Sequence, residues 1–171
     1  VWFDQGRADV RAEWGSDGLS ALLPASDVVV IVDVLSFSTC VDVAVSRGAA
    51  VIPFASRGEV AAAFAAGAGA ACAGPRGQAR FSLSPASFMS VEPGTRVVLP
   101  SPNGGALAAE TAGVPTFTAC LRNAPAVARA AARLGRRIAL IEAGFEEDVR
   151  VAAEYDVSPC APVLRTGAFE R

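Results

Sequence analysis

The chain has 171 residues, 52% of them hydrophobic, a net charge of −2 and a mean hydropathy of +0.39, which describes one globular domain with enough chain for a real core. No run of about 18 apolar residues escapes glycine, proline or charge, no basic block offers a nucleic-acid surface, and no signal peptide is visible. Neither a membrane nor nucleic acid is therefore expected as a partner, and a cytoplasmic location is expected, with Val1 in place of a start methionine pointing to residues upstream.

Residues 8–14 alternate well enough for a first strand, and Leu19 to Leu23 read as a short helical turn stopped near Pro24. Val28 to Val32 are five consecutive β-branched apolar residues running into Asp33, the pattern of a strand buried on both faces and ended by an acid. Ser38 or Thr39 is expected to cap a helix over 39–47 that ends at Gly48. A strand at 50–54, a helix at 59–66 and a short strand at 70–73 follow. The segment from Gly74 to Pro93 is loop-like, with a short helix near 82–88. Strands are expected at 96–99, 116–119, 138–141 and 161–164, and helices at 106–111, 124–134 and 146–155. This alternation predicts an α/β fold, three layers (α/β/α) around a mostly parallel or mixed sheet.

Three strands share one design, a polar strand end followed by a helix, at 33–39, 101–105 and 121–123. Open α/β sheets bind ligands outside the carboxyl ends of their strands, so these loops are expected to converge on one pocket. Its chemistry is bounded by two absences. The chain contains no histidine, and all 15 of its basic residues are arginine. That excludes Ser-His-Asp triads, His-ligated zinc, Schiff-base lysines and a P-loop lysine. A site built on carboxylates suits a hard, oxygen-loving ion such as Mg²⁺. The four cysteines (40, 72, 120 and 160) contain no CxxC pair and read as small buried hydrophobes.

Asp33 is the leading candidate for catalysis or metal binding; its plain alternative is to cap the next helix or pair with an arginine. Ser36, Ser38 and Thr39 place hydroxyls beside it. Ser101, Asn103, Gly104 and Gly105 form a Pro-Asn-Gly-Gly loop whose backbone N–H groups at a helix start suit an anion, or simply an ordinary turn. Arg122 supplies a guanidinium fork and Asn123 an amide. Asn123 also reads as a cap for helix 124–134. Glu142 ends a strand and is either a second catalytic acid or a solvated one. Familiar phosphatase signatures fail. Six residues separate Cys40 from Arg47 and four separate Cys160 from Arg165, where the thiol phosphatases need five between the Cys and the Arg. Leu35 breaks the Asp-x-Asp pattern of the haloacid-dehalogenase type.

VVVIVDVLSFSTCVDVAVSRGA (28–49), SLSPASF (82–88), VVLPSPNGGALA (97–108), CLRNAPAVA (120–128) and GFEEDVRVAAEYDVSPCAPVL (144–164) together resemble the bacterial branch of the ComB-type 2-phosphosulpholactate phosphatase family. The resemblance implies a three-layer α/β fold and Mg²⁺-dependent hydrolysis of 2-phosphosulpholactate to sulpholactate and phosphate, a step toward coenzyme M. It implies a small phosphorylated substrate, anionic at both ends. Asp33 would hold Mg²⁺ or position the attacking water, the 36–39 turn and the 101–105 loop would hold the phosphate, and Arg122 and Asn123 would hold the sulphonate or carboxylate.

Two departures from the family stand out. Ser36 occupies a position where better-known members carry arginine, a cation expected here to be lost or replaced by Arg122 or Arg80. The family also carries several dozen further residues, including a Glu-Asp pair expected as metal ligands, between Gly144 and Phe145. A segment missing from the sequence is expected there, which a Cα–Cα distance well beyond about 3.8 Å would reveal. The rival reading is a catalytically idle binding module for a small anionic metabolite. A homodimer through an exposed edge or the alanine-rich helices is also an expectation.

Overall fold

Five consecutive residues in the strand from Val28 to Val32 send side chains alternately into two separate hydrophobic clusters, and that alternation generates the layers of the molecule. In the computed structural model the described residues are 5–111, 113–142 and 157–171. They form strands β1 (Val10–Trp14), β2 (Val28–Val32), β3 (Ala50–Phe54), β4 (Ala71–Cys72), β5 (Arg96–Pro100), β6 (Thr116–Ala119), β7 (Ile138–Glu142), β8 (Val163–Arg165) and β9 (Ala168–Glu170). The helices are α1 (Gly15–Leu22), α2 (Phe37–Ser46), α3 (Glu59–Gly67), α4 (Gly104–Glu110) and α5 (Ala124–Leu134), with single 3₁₀ turns at Leu23–Ala25 and Pro85–Phe88.

The nine strands make one mixed sheet in the order β1-β7-β2-β6-β8-β9-β3-β5-β4. β1, β7, β2 and β6 are mutually parallel, as are β3, β5 and β4. The antiparallel hairpin β8–β9 joins the two groups, pairing with β6 on one side and β3 on the other. On one face, Val29 and Ile31 of β2, Val51 of β3, Val97 and Leu99 of β5 and Phe169 of β9 meet residues of α1, α2 and α4 in the main core. On the other face, Val28, Val30 and Phe117 pack on Val127 and Ala131 of α5, and Ile52 and Val98 pack on Ala65 of α3. The expected three-layer α/β/α arrangement is thus present.

Several boundaries differ from the expectations. α2 begins at Phe37, with Ser36 at the capping position, so Ser38 and Thr39 lie inside the helix rather than before it. α4 begins two residues early, at Gly104. The final strand is really a hairpin, because Thr166 and Gly167 both take positive φ (46° and 82°), the backbone of a tight two-residue turn that matches the twist of paired strands. The helix expected at 146–155 and the Gly144–Phe145 junction lie outside the described residues. No helix among the described residues is long and apolar enough to cross a membrane.

Candidate active site

β2 ends where α2 begins, and the short turn between them buries Asp33, which is only 3% exposed. Its carboxylate accepts the Phe37 N–H at 3.2 Å, from the first turn of α2, and the backbone N–H of Gly104, the first residue of α4, favours its charged form. Asp33 therefore does cap a helix, and it also lies between two helix starts from opposite groups of strands. Burial raises its pKa to about 6, while the two N–H groups pull in the opposite direction. A carboxyl that changes charge near neutrality, at a strand end, is well suited to proton handling.

The neighbouring hydroxyls divide by how they are used. Ser38 is fully buried; it donates to the Ile31 carbonyl at 3.1 Å and accepts from the Asp33 N–H at 2.9 Å and from the Thr118 hydroxyl. Its one proton is spent fastening α2 to β2, and Thr118 extends the fastening to β6. Thr39, also fully buried, donates to the Val34 carbonyl at 2.6 Å. Ser36 donates to the Leu83 carbonyl at 2.7 Å and receives Nη2 of Arg76 at 3.4 Å. The Leu35–Ser36 peptide is cis.

The Ser101–Gly105 loop meets the Asp33 turn, as expected, and its glycines serve packing. A Cβ on Gly104 would enter the Phe37 ring, and one on Gly105 would enter the Phe54 carbonyl. The absence of side chains lets α4 sit between α2 and the end of β3. The Ser101 N–H donates to the same Phe54 carbonyl at 2.8 Å, and Asn103 holds the capping position of α4 without a side-chain cap bond.

The third loop lies alongside, since Val32 is in register with Ala119 of β6. Its side chains turn elsewhere. Arg122 Nε donates to Asp42 Oδ2 at 2.9 Å, and the Asp42 carboxylate also receives the Ser158 hydroxyl at 2.7 Å. Burial pushes the Asp42 pKa up, against the pull of Ser158 and Arg122. Asn123 sits at the first position before α5, yet its side chain turns back, accepting the Cys120 N–H at 2.9 Å and donating to the Thr118 carbonyl at 3.3 Å. Arg122 and Asn123 are thus engaged by Asp42, Cys120 and Thr118.

Glu142 is in register with Val32, one residue before Asp33, so the backbone brings it beside the site; its side chain lies outside what the structure describes. The residues that sequence reasoning left unassigned are Arg76, Asp42, Ser158 and Thr118. Asp42 carried a signal, an acid in the middle of the apolar helix FSTCVDVAVS. Arg76 and Ser158 carried none, because their roles depend on distant partners. None of the four cysteines is in a disulfide. Burial is the main cause lifting Cys120 and Cys160 to about 11, which keeps them protonated and unreactive. A groove of about 540 Å³ beside Thr111, Leu134, Val163 and Arg165 contains none of these site residues.

Among the described residues no group of three or more His, Cys, Asp or Glu side chains is arranged around an ion. Among the described side chains, the carboxylate the site offers is that of Asp33, which is buried. A single carboxylate completed by waters and substrate phosphate oxygens is a common way of holding Mg²⁺, so the donor chemistry fits that ion and does not fit zinc.

No curated protein matched the chain when the two were compared. The family model for 2-phosphosulpholactate phosphatase matches residues 19–155, a span that includes β2, α2, the 101–105 loop and the Asp42–Arg122 pair. With that match covering most of its length, the chain belongs to the 2-phosphosulpholactate phosphatase family of phosphoric monoester hydrolases.

Proposed function

We propose that this protein hydrolyses 2-phosphosulpholactate to sulpholactate and phosphate in a Mg²⁺-dependent reaction centred on Asp33. The supporting observation is the position of Asp33: buried at the end of β2, held by the Phe37 N–H of α2, close to the start of α4, and ionising near pH 6. When bound, Mg²⁺ neutralises phosphate charge and orients a water for in-line attack. The Asp33 carboxylate holds that ion or that water. The attacking water forms a bond to phosphorus as the ester P–O bond breaks; the water gives up one proton and the leaving alkoxide takes one up, so the products are the alcohol and hydrogen phosphate.

The roles of the remaining residues are assigned by what their geometry leaves available. Ser36 and the start of α4, with Ser101, Asn103 and the backbone of Gly104 and Gly105, face the phosphate. Ser38, Thr39 and Asn123 act from behind it, holding β2, α2 and β6 together. Arg122, anchored on Asp42, lies on the side assigned to the sulphonate or carboxylate. Glu142 is the candidate acid for the leaving group, by the register of its backbone.

Phosphate release from 2-phosphosulpholactate and a panel of phosphorylated hydroxy acids, with and without Mg²⁺, tests this reading. Mg²⁺-dependent release with a preference for the sulphonate supports it. Tight binding of the same compounds without any turnover identifies a binding module instead.

A further inference from the structure

We infer that the side-chain amide of Gln5 guards the open edge of the sheet, occupying the backbone of β1 where a second copy of this chain would otherwise add a strand; the inference is independent of the phosphatase reading. β1 is the last strand on one side of the sheet, and it is the longer edge, with five residues against the two of β4. The backbone groups of a strand point alternately to its two sides. The Ile138 N–H donates to the Asp9 carbonyl at 2.8 Å, so the odd-numbered residues of β1 face β7 and the even-numbered ones face outward. Ala12, the middle residue, thus turns its N–H and C=O away from the sheet. One side chain takes both: the Ala12 N–H donates to Gln5 Oε1 at 3.1 Å, and Gln5 Nε2 donates to the Ala12 carbonyl at 2.8 Å.

These are the two bonds a neighbouring strand would make, supplied by a side-chain amide in place of a peptide group. The amide is held in that orientation. Nε2 also donates to Glu13 Oε1 at 3.0 Å, so a flipped amide would turn its oxygen toward a carboxylate and a carbonyl. The backbone is set for it as well. Gln5 takes a φ of 46°, in the left-handed region that residues other than glycine rarely enter, and the Ala8 N–H donates to its carbonyl at 2.9 Å. That turn carries the chain from Gln5 into β1 and lets the side chain reach back to it. Unpaired strand edges recruit other strands, above all where they are apolar. Val10 and Trp14, which share the outward register with Ala12, are 54% and 63% exposed. Two β1 edges laid antiparallel about Ala12 present the same groups to each other, the self-complementary contact of a twofold dimer. Gln5 fills the centre of that contact.

The test compares wild type with Gln5→Gly, which accepts the same backbone turn and removes only the side chain. A double variant adds Ala12→Pro, which takes the outward N–H off the edge. Mass in solution is measured by light scattering over a dilution series, together with amide hydrogen exchange at Ala12. The expected result for Gln5→Gly is a self-association constant at least about tenfold above that of wild type, the worth of one or two hydrogen bonds. Its Ala12 amide exchanges faster than in wild type when dilute and slows as the protein associates, and the double variant returns to the wild-type mass. Association of Gln5→Gly no stronger than that of wild type overturns the inference, as does association that persists in the double variant. Wild type supplies a check that needs no variant: its Ala12 amide should be protected in dilute solution, and exchange there at the rate of an unbonded amide also overturns the inference.

Discussion

The backbone N–H of Gly104 favours the charged form of the Asp33 carboxylate, and the same glycine abuts the ring of Phe37, whose own N–H donates to that carboxylate at 3.2 Å. Asp33 follows β2, whereas Gly104 follows β5 in the other parallel group of strands. The two groups of the sheet therefore meet at the acid on which the proposed chemistry depends.

That position sets a pH dependence of stability. The folded-state pKa of Asp33 is about 6, against an ordinary value of 3.8. Between those values the folded protein keeps a proton that the unfolded chain has lost, so stability falls as pH rises from about 4 to about 6. At roughly 1.4 kcal/mol per pKa unit the loss is about 3 kcal/mol at most. Asp33→Asn removes that term. Denaturant unfolding at pH 4 and pH 7.5 should show the variant gaining stability relative to wild type at the higher pH.

The same ionisation sets a rate profile. A carboxylate that holds an ion or a water works only when deprotonated, so kcat/KM should rise with pH through a limb near pH 6 and level off above it. Activity that instead falls above pH 6 would assign the proton, and not the carboxylate, to the reaction. A steady-state pH series with wild type separates the two.

Gly104→Ala should destabilise the fold by about 1–3 kcal/mol, the usual cost of overpacking, because its new methyl group enters the buried Phe37 ring. Phe37→Leu in the same chain makes room and should recover part of the loss. Gly105→Ala meets the Phe54 carbonyl, a backbone group with nowhere to go, and Phe37→Leu should not rescue it. Chemical denaturation of the single and double variants reads the coupling directly.

Asp42 and Arg122 form a nearly dry ion pair, with side-chain exposures of 0% and 12%. Removing one partner of such a pair strands the other, at a cost of about 3–5 kcal/mol. Asp42→Ala should therefore lower stability by that order, while the apolar double replacement Asp42→Leu with Arg122→Met should cost much less. Melting curves of the three proteins provide the check.

The layers of this fold were legible because hydrophobic periodicity reports burial directly: the run at 28–32 marked a central strand, and the strand–helix alternation marked the layers. The β8–β9 hairpin was not, since a pair of three-residue strands carries little periodicity and its signal was only the Thr-Gly turn. In the site, the chain pointed to Asp33 because an acid ending an apolar strand is locally conspicuous. It did not reveal that the hydroxyls of Ser38 and Thr39 are turned inward, or that Arg122 is held by Asp42, since those facts depend on residues distant in sequence. The glycines at 104 and 105 looked like a ligand cradle, and what the local sequence did not reveal is that a Cβ there would also meet Phe37 and Phe54.

The most direct test of the account is release of phosphate from 2-phosphosulpholactate by wild type and Asp33→Asn, each with Mg²⁺ and with the ion chelated. The account predicts turnover by wild type with Mg²⁺ only, and a fall of at least about 100-fold in Asp33→Asn, a typical loss for a group acting on the transition state, with a melting temperature no lower than that of wild type at pH 7.5. Equal turnover by the two proteins, or turnover indifferent to the ion, would contradict it.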